Sequence, residues 1–169
     1  KDKDGRIKAI NATMDRYLAD GIFDEYGDSF ILVERRTETG VRFGLVGKLD
    51  LEEYDYSPDS VSLIRATEGT ILSRIPPRKE IRLHAPLEVP HIMVLISDSE
   101  RSVIEPLKAK RDKLEKAYDT PLMMNGGHIT GYVVSSGEDK AAVLSALSRI
   151  RSSLDPDNPL LFAMGDGTH

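Results

Sequence analysis

Between residues 90 and 164 the sequence switches repeatedly between two periods, and that alternation limits the possible folds more than any other feature. Residues 90–96 (PHIMVLI) form a near-continuous apolar run, the pattern of a strand covered on both faces, so a central place in a sheet is expected. Ser97 and Glu100 then stand three apart like a capping box, and Val103, Ile104, Leu107, Leu114 and Tyr118 follow helical spacing. Pro106 suits only the first turn of a helix, which sets the regular part near Glu105. Asn125-Gly126-Gly127 is a turn, and residues 128–134 (HITGYVV) read as a strand. Ser135 and Glu138 suggest a second cap, after which Val143, Leu147, Ile150 and Leu154 mark the buried stripe of a helix ended by Asp155-Pro156. Residues 160–164 supply a third strand. The order is β-α-β-α-β, and right-handed crossovers would make the sheet parallel in part.

The first half reads differently. Ile7, Ile10, Met14, Tyr17 and Leu18 recur at helical spacing before Gly21, which predicts an amphipathic helix. Residues 30–36 (FILVERR) and 41–51 (VRFGLVGKLDL), joined by Thr37-Glu38-Thr39-Gly40, predict a hairpin. Residues 52–77 show no clean period; Pro58 could start a short helix, and residues 70–75 another that Pro76-Pro77 stops. The expected class is α+β: one mixed sheet of about five strands, the hairpin plus β-α-β-α-β, with flanking helices in a single domain over residues 1–169.

Composition narrows the function classes. A chain of 169 residues is long enough to bury roughly two-thirds of its unfolded surface without staples. It has no cysteine, which removes disulfides, thiolate catalysis and Cys-rich zinc sites. His84, His91, His128 and His169 are scattered, so no metal site is expected. Net charge is −5 with bases mixed among acids, which argues against nucleic acid as a partner. No segment approaches the ~20 apolar residues that span a bilayer, so no membrane partner is expected and a cytoplasmic location is.

The last strand runs straight into Gly165-Asp166-Gly167-Thr168-His169. Two glycines allow a sharp turn with exposed backbone N–H groups, and a helix starting there would offer its positive end to a phosphate. The other reading is a tight turn whose Asp166 caps the next element.

Strand-then-D-G-x-H resembles a motif, commonly D-G-H-H-R, of the domain-of-unknown-function 1015 family. Residues 43–55 (FGLVGKLDLEEYD) look like that family's R-x-G-L-V-G-x-x-D-L-E-D-Y-D segment. Residues 64–70 (IRATEGT) resemble its I-x-x-H-E-x-T, with Glu68 and Thr70 matching and Thr67 in place of the His. Residues 77–83 (PRKEIRL) are similar to its P-x-K-x-D-R-L, with Lys79 and Arg82 matching and Ile81 in place of the Asp. Gly127-His128 resembles a G-x-x-H before a strand, and Asp166, Gly167 and His169 complete a series in family order over about 130 residues. Thr168 stands where the first His of D-G-H-H-R would be, which points to altered chemistry.

The resemblance implies that the chain is an internal fragment of a longer protein. D-G-H-H-R in turn resembles the phosphate-handling segment of the ParB/sulfiredoxin-like fold, whose members include nucleotide-dependent free-serine kinases and CTP-binding partition proteins. By that analogy the chain is expected to be a nucleotide- or phosphate-dependent enzyme, a small-metabolite kinase, using ATP or ADP with Mg²⁺ and a small-molecule or nucleotide ligand. Catalytic roles would fall to Glu68, Asp166 and His169, and phosphate or nucleotide binding to Thr70, Lys79, Arg82, His128, Gly167 and Thr168. The alternative is a non-catalytic ligand-binding or regulatory module. Each residue also has a plainer reading: Glu68 as a solvated carboxylate, Arg82 with Glu80 as an exposed strand pair, and His128 facing water at a strand start.

Overall fold

The computed structural model describes residues 2–89 and 92–165. The fold is α+β. Helix α1 (Lys3–Ala19) leads into the hairpin β1 (Phe30–Thr37) and β2 (Gly40–Val46). The short strands β3 (Tyr54–Asp55) and β4 (Ile64–Ala66), helix α2 (Ile75–Arg82) and strand β5 (Val94–Ile96) follow. Next come α3 (Ile104–Ala109), β6 (Glu115–Pro121), β7 (His128–Val134), α4 (Gly137–Ser153) and β8 (Phe162–Met164).

Among the described residues these strands form two sheets of four, ordered β2-β1-β7-β6 and β3-β4-β8-β5, where the sequence predicts one sheet of about five. The first is antiparallel throughout. In the second, β3, β4 and β8 run parallel and β5 is antiparallel to β8. The split arises because strand-forming segments lie where the sequence shows no period, at residues 54–55 and 64–66, and where it shows a helical one, at 115–121.

One core serves both sheets. Leu32, Tyr132 and Val134 from the first sheet meet Val103 and Leu107 near α3, Val143, Ala146 and Ile150 on α4, and Leu161 just before β8. Ile96 and Phe162 of the second sheet pack against this cluster. The α4 positions fall three and four apart, so one stripe of that helix is buried, as its sequence predicts. Its cap is Ser136, whose hydroxyl accepts from the Asp139 backbone N–H at 3.1 Å, one residue later than expected.

Several local expectations give way to tertiary contacts. The predicted helix through Tyr118 ends at Ala109, and Tyr118 lies on β6 opposite Gly131 of β7. A Cβ on Gly131 would stand 2.4 Å from the Tyr118 ring, so the glycine is the seat of that ring and strand pairing overrides helical spacing. Arg111 and Lys110, which follow α3, reach Glu34 and Asp139. The apolar run at 90–96 yields an edge strand rather than a central one: β5 pairs only with β8, and Leu95 is 59% exposed. Pro76 and Pro77 open α2 instead of stopping a helix, because the first turn needs no N–H donors from them. Arg82 therefore ends a helix and pairs with Glu88, while Glu80 pairs with Lys3. Asp98, not Ser97, caps the approach to α3, accepting from the Val103 backbone at 2.9 Å and from Ser102 Oγ at 3.0 Å. Helix α1 forms as predicted but buries none of its residues.

Candidate functional site

The parallel strands β4 and β8 lie side by side, with Ala66 opposite Met164, so both leave the sheet at the same edge. Thr67 fastens the two exits together: its backbone N–H and its Oγ1 both donate to the Met164 carbonyl, at 3.1 and 2.7 Å. Gly165 on the other strand donates to the Met93 carbonyl at 2.8 Å, which ties the exit of β8 to the β5 side. Behind β4, Arg65 anchors the strand through Nη1 to Asn158 Oδ1 at 2.8 Å and through Nη2 to the Pro159 carbonyl at 3.0 Å.

Glu68, Gly69 and Thr70 continue from Thr67 at this edge, so Glu68 follows directly the residue that donates to the Met164 carbonyl at the end of β8. Glu68 is exposed and engaged in an interaction of its own. Thr70 is half-buried, and its Oγ1 is shielded from water with no hydrogen-bond partner among the described residues. A hydroxyl left so is costly unless something completes it. Asp166, Gly167, Thr168 and His169 lie outside the described residues, so only their point of departure, Gly165, is fixed.

Lys79 and Arg82 sit on α2, which Leu72–Arg74 joins to the Thr70 segment. Arg82 Nη2 meets Glu88 Oε1 at 2.9 Å with both side chains more than half exposed, so this pair contributes little to stability. His128 is on the other sheet, at the first position of β7, opposite Arg36 of β1 and Pro121 of β6. The sequence-predicted residues thus divide: Glu68 and Thr70 at the β4–β8 edge, and His128 on the antiparallel sheet.

Around His128 stand residues that sequence reasoning passed over. Its Nε2 lies 2.5 Å from Asp119 Oδ1, which also accepts from Thr130 Oγ1 at 3.1 Å; Asp119 Oδ2 accepts from Lys116 Nζ at 2.5 Å. The Lys116 ammonium, and next the His128 ring, hold the Asp119 carboxyl far below the usual carboxylate range. Two residues along β1 from Arg36, Glu34 is only 3% exposed; its Oε1 receives Arg36 Nε at 2.6 Å, and its Oε2 faces Arg111 Nε across 3.3 Å. A signal for Glu34 was available, since it shares the parity of the buried Leu32 in a strand. Asp119 had none once residues 103–118 read as a helix.

The molecule is thus an α+β protein with an antiparallel scaffold and a small, mostly parallel sheet whose carboxyl edge is followed by Glu68 and Thr70. The family model described as "Protein of unknown function (DUF1015)" matches residues 1–169, and the chain belongs to that family. No curated protein and no solved structure matches it. No described helix is long and apolar enough to cross a membrane, and no group of three or more His, Cys, Asp or Glu among the described residues could hold a metal ion.

Proposed function

We propose that the edge where β4 and β8 end is a phosphate- or nucleotide-binding site, and that the protein is a phosphotransferase acting on a small hydroxylated metabolite. The observation that carries this reading is the shared exit of two parallel strands. In open sheets of this kind, ligands gather at the carboxyl ends of the strands, where backbone N–H groups and loop side chains converge. Here Glu68 and Thr70 follow one such end, and the sequence Asp166-Gly167-Thr168-His169 follows the neighbouring one. The unpartnered Thr70 Oγ1 adds support, because a phosphate oxygen would complete it.

Phosphoryl transfer requires charge neutralisation, in-line positioning and a base for the attacking hydroxyl. In this reading Glu68 and Asp166 hold Mg²⁺ or take the hydroxyl proton. Thr70, Gly167 and Thr168 donate to phosphate oxygens, Lys79 and Arg82 neutralise them, and His169 donates to the transferring group. Bound Mg²⁺ would supply Lewis-acid charge neutralisation for the phosphoryl group. Calorimetric titration with ATP, ADP and CTP, each with and without Mg²⁺, tests this. Binding that needs Mg²⁺ and weakens at least about tenfold in Glu68→Gln and Asp166→Asn is expected. Silence across all three nucleotides discards the proposal.

One observation favours a second reading, a ligand-binding or regulatory module without turnover. Thr67, which stands where the family motif has His, commits its hydroxyl to the Met164 carbonyl and offers no base. Nucleotide consumption with any hydroxylated acceptor, lost in Asp166→Asn, would reject that reading.

A further inference from the structure

The antiparallel sheet carries a polar cluster apart from the β4–β8 edge, and strand register builds it. Glu34 and Asp119 both lie opposite Thr130, and Arg36 lies opposite His128. Opposed residues share a face, with Cβ atoms roughly 5 Å apart. That face also carries Leu32 and Tyr132, so the cluster continues the core outward to solvent.

Hydrogen bonding fixes the state of the histidine. A carboxylate can only accept, so the 2.5 Å contact with Asp119 Oδ1 puts the proton of a neutral imidazole on Nε2 and leaves the Nδ1 lone pair unused by that contact. The ring is 42% exposed. Lys116 offsets the charge of Asp119 on its other oxygen. Across the strand, Arg36 binds Glu34 through Nε and Nη2, which leaves Nη1 outside that pair on a side chain 60% exposed. Three cations, Arg36, Arg111 and Lys116, stand among the carboxylates Glu34 and Asp119 and the exposed Asp112, whose Oδ1 lies 3.9 Å from Arg111 Nε, so the charges balance and an incoming anion depends on Arg36 itself.

The backbone is built to hold this arrangement. Gly127 has φ +95°, and a Cβ there would stand 1.8 Å from the Arg36 carbonyl oxygen, so only glycine lets β7 begin against β1 at this point. Just before it, Met124 and Asn125 are consecutive non-glycine residues in the left-handed region, with φ of 58° and 56°. Asn125 tolerates that region, whereas for Met124 it is uncommon, and backbone held this way is concentrated at functional sites.

We propose that Arg36 and His128 form a second binding site, selective for a small oxyanion that still carries a hydroxyl proton: hydrogen phosphate or a 2-hydroxy carboxylate. Arg36 takes the anionic oxygens, and His128 Nδ1 accepts the hydroxyl hydrogen bond. Asp119 is a positioning residue that fixes the tautomer. The site stands apart from the one at the β4–β8 edge and uses none of its residues.

Matched probes test the hydroxyl requirement. Hydrogen phosphate and sulfate are both dianions at about pH 8, where free imidazole is ordinarily neutral, and they differ in one proton. Glycolate and acetate differ by one hydroxyl. Titration of the full chain, followed by the His128 ring nitrogens in NMR spectra, is expected to show phosphate or glycolate binding about tenfold or more tightly than its partner. A response to phosphate alone assigns an inorganic or phosphoryl ligand, and a response to glycolate alone assigns a hydroxy acid. Arg36→Gln should abolish binding, and Asp119→Asn should erase the preference over sulfate. Asp166→Asn should change neither, which keeps a failure here distinct from a failure at the terminal turn. If Arg36→Gln does not fold because Glu34 loses one of its partners, His128→Gln serves in its place, with binding read by calorimetry and the preference for phosphate over sulfate expected to vanish. Equal binding of sulfate and phosphate, or no response at His128, overturns the proposal.

Discussion

The two sheets are held together by different means. In the antiparallel sheet the strands are seven or eight residues long, β1 pairs over seven of its eight residues with each neighbour, and Leu32, Tyr132 and Val134 are buried. In the other sheet the strands are two or three residues long, and Ile92, Met93 and Leu95 remain about half exposed. There, single side chains take over from long ladders: Thr67 clasps Met164, and Arg65 clasps Asn158 and Pro159. A long ladder fixes register through many bonds at once, so it makes a rigid base. A short one opens at lower free energy, and segments that bind ligands are drawn from such regions. Both candidate sites follow this division: the first lies on the short-stranded sheet, and the second is cut into the outer end of the rigid face.

The comparison breaks if substitutions cost the same in both sheets. The largest loss is expected at the core: Leu32→Ala removes a side chain with no exposed surface and should destabilise by ~2–5 kcal/mol in urea unfolding. Gly127→Ala comes next, with both a backbone clash and a positive φ against it, and a loss of about 2–3 kcal/mol is expected by the same measurement. Gly69→Ala, in the loop that follows β4 of the other sheet, is its control, since a Cβ there meets nothing within 4 Å and near-neutral stability is expected. Thr67→Val removes one hydrogen bond and should cost ~0.5–1.5 kcal/mol, with hydrogen exchange accelerated at β4 and β8 more than at β1. Leu95→Ala on the exposed edge should stay within about 0.5 kcal/mol of the parent.

The smallest expected effect depends on pH. Asp119 has its folded pKa depressed, chiefly by Lys116, so its contribution is present above the unfolded carboxylate value near ~3.9 and is lost as pH falls through the lower folded value. The stability difference between the parent and Asp119→Asn should therefore shrink once pH drops below about 4. A difference that grows as pH falls below that value would contradict the depressed Asp119 carboxyl.

Elements with a strong local period were legible from the chain alone. Helices α1 and α4, the hairpin of β1 and β2, and strands β7 and β8 all appear where apolar spacing and turn residues predict them. The family was legible too, because its motifs recur in order from Phe43 onward and the family model matches residues 1–169. The weakly patterned stretch at 52–77 gave no hint of β3 or β4, whose few residues take strand form through pairing, β4 beside β8 and β3 beside β4.

Amino-acid order by itself determined the α+β class and the helices with clear stripes, and through the family resemblance it singled out Glu68, Thr70 and His128 as candidates. Tertiary structure alone decided that residues 115–121 form a strand, that β5 lies at an edge, and that His128 meets Asp119 while Thr67 meets Met164. The reason is physical: periodicity records which face of one element is apolar, whereas pairing is settled by what neighbouring strands leave unsatisfied. Tyr118 sits over Gly131 because β7 presents both an open edge and a place for the ring, and no local spacing encodes that.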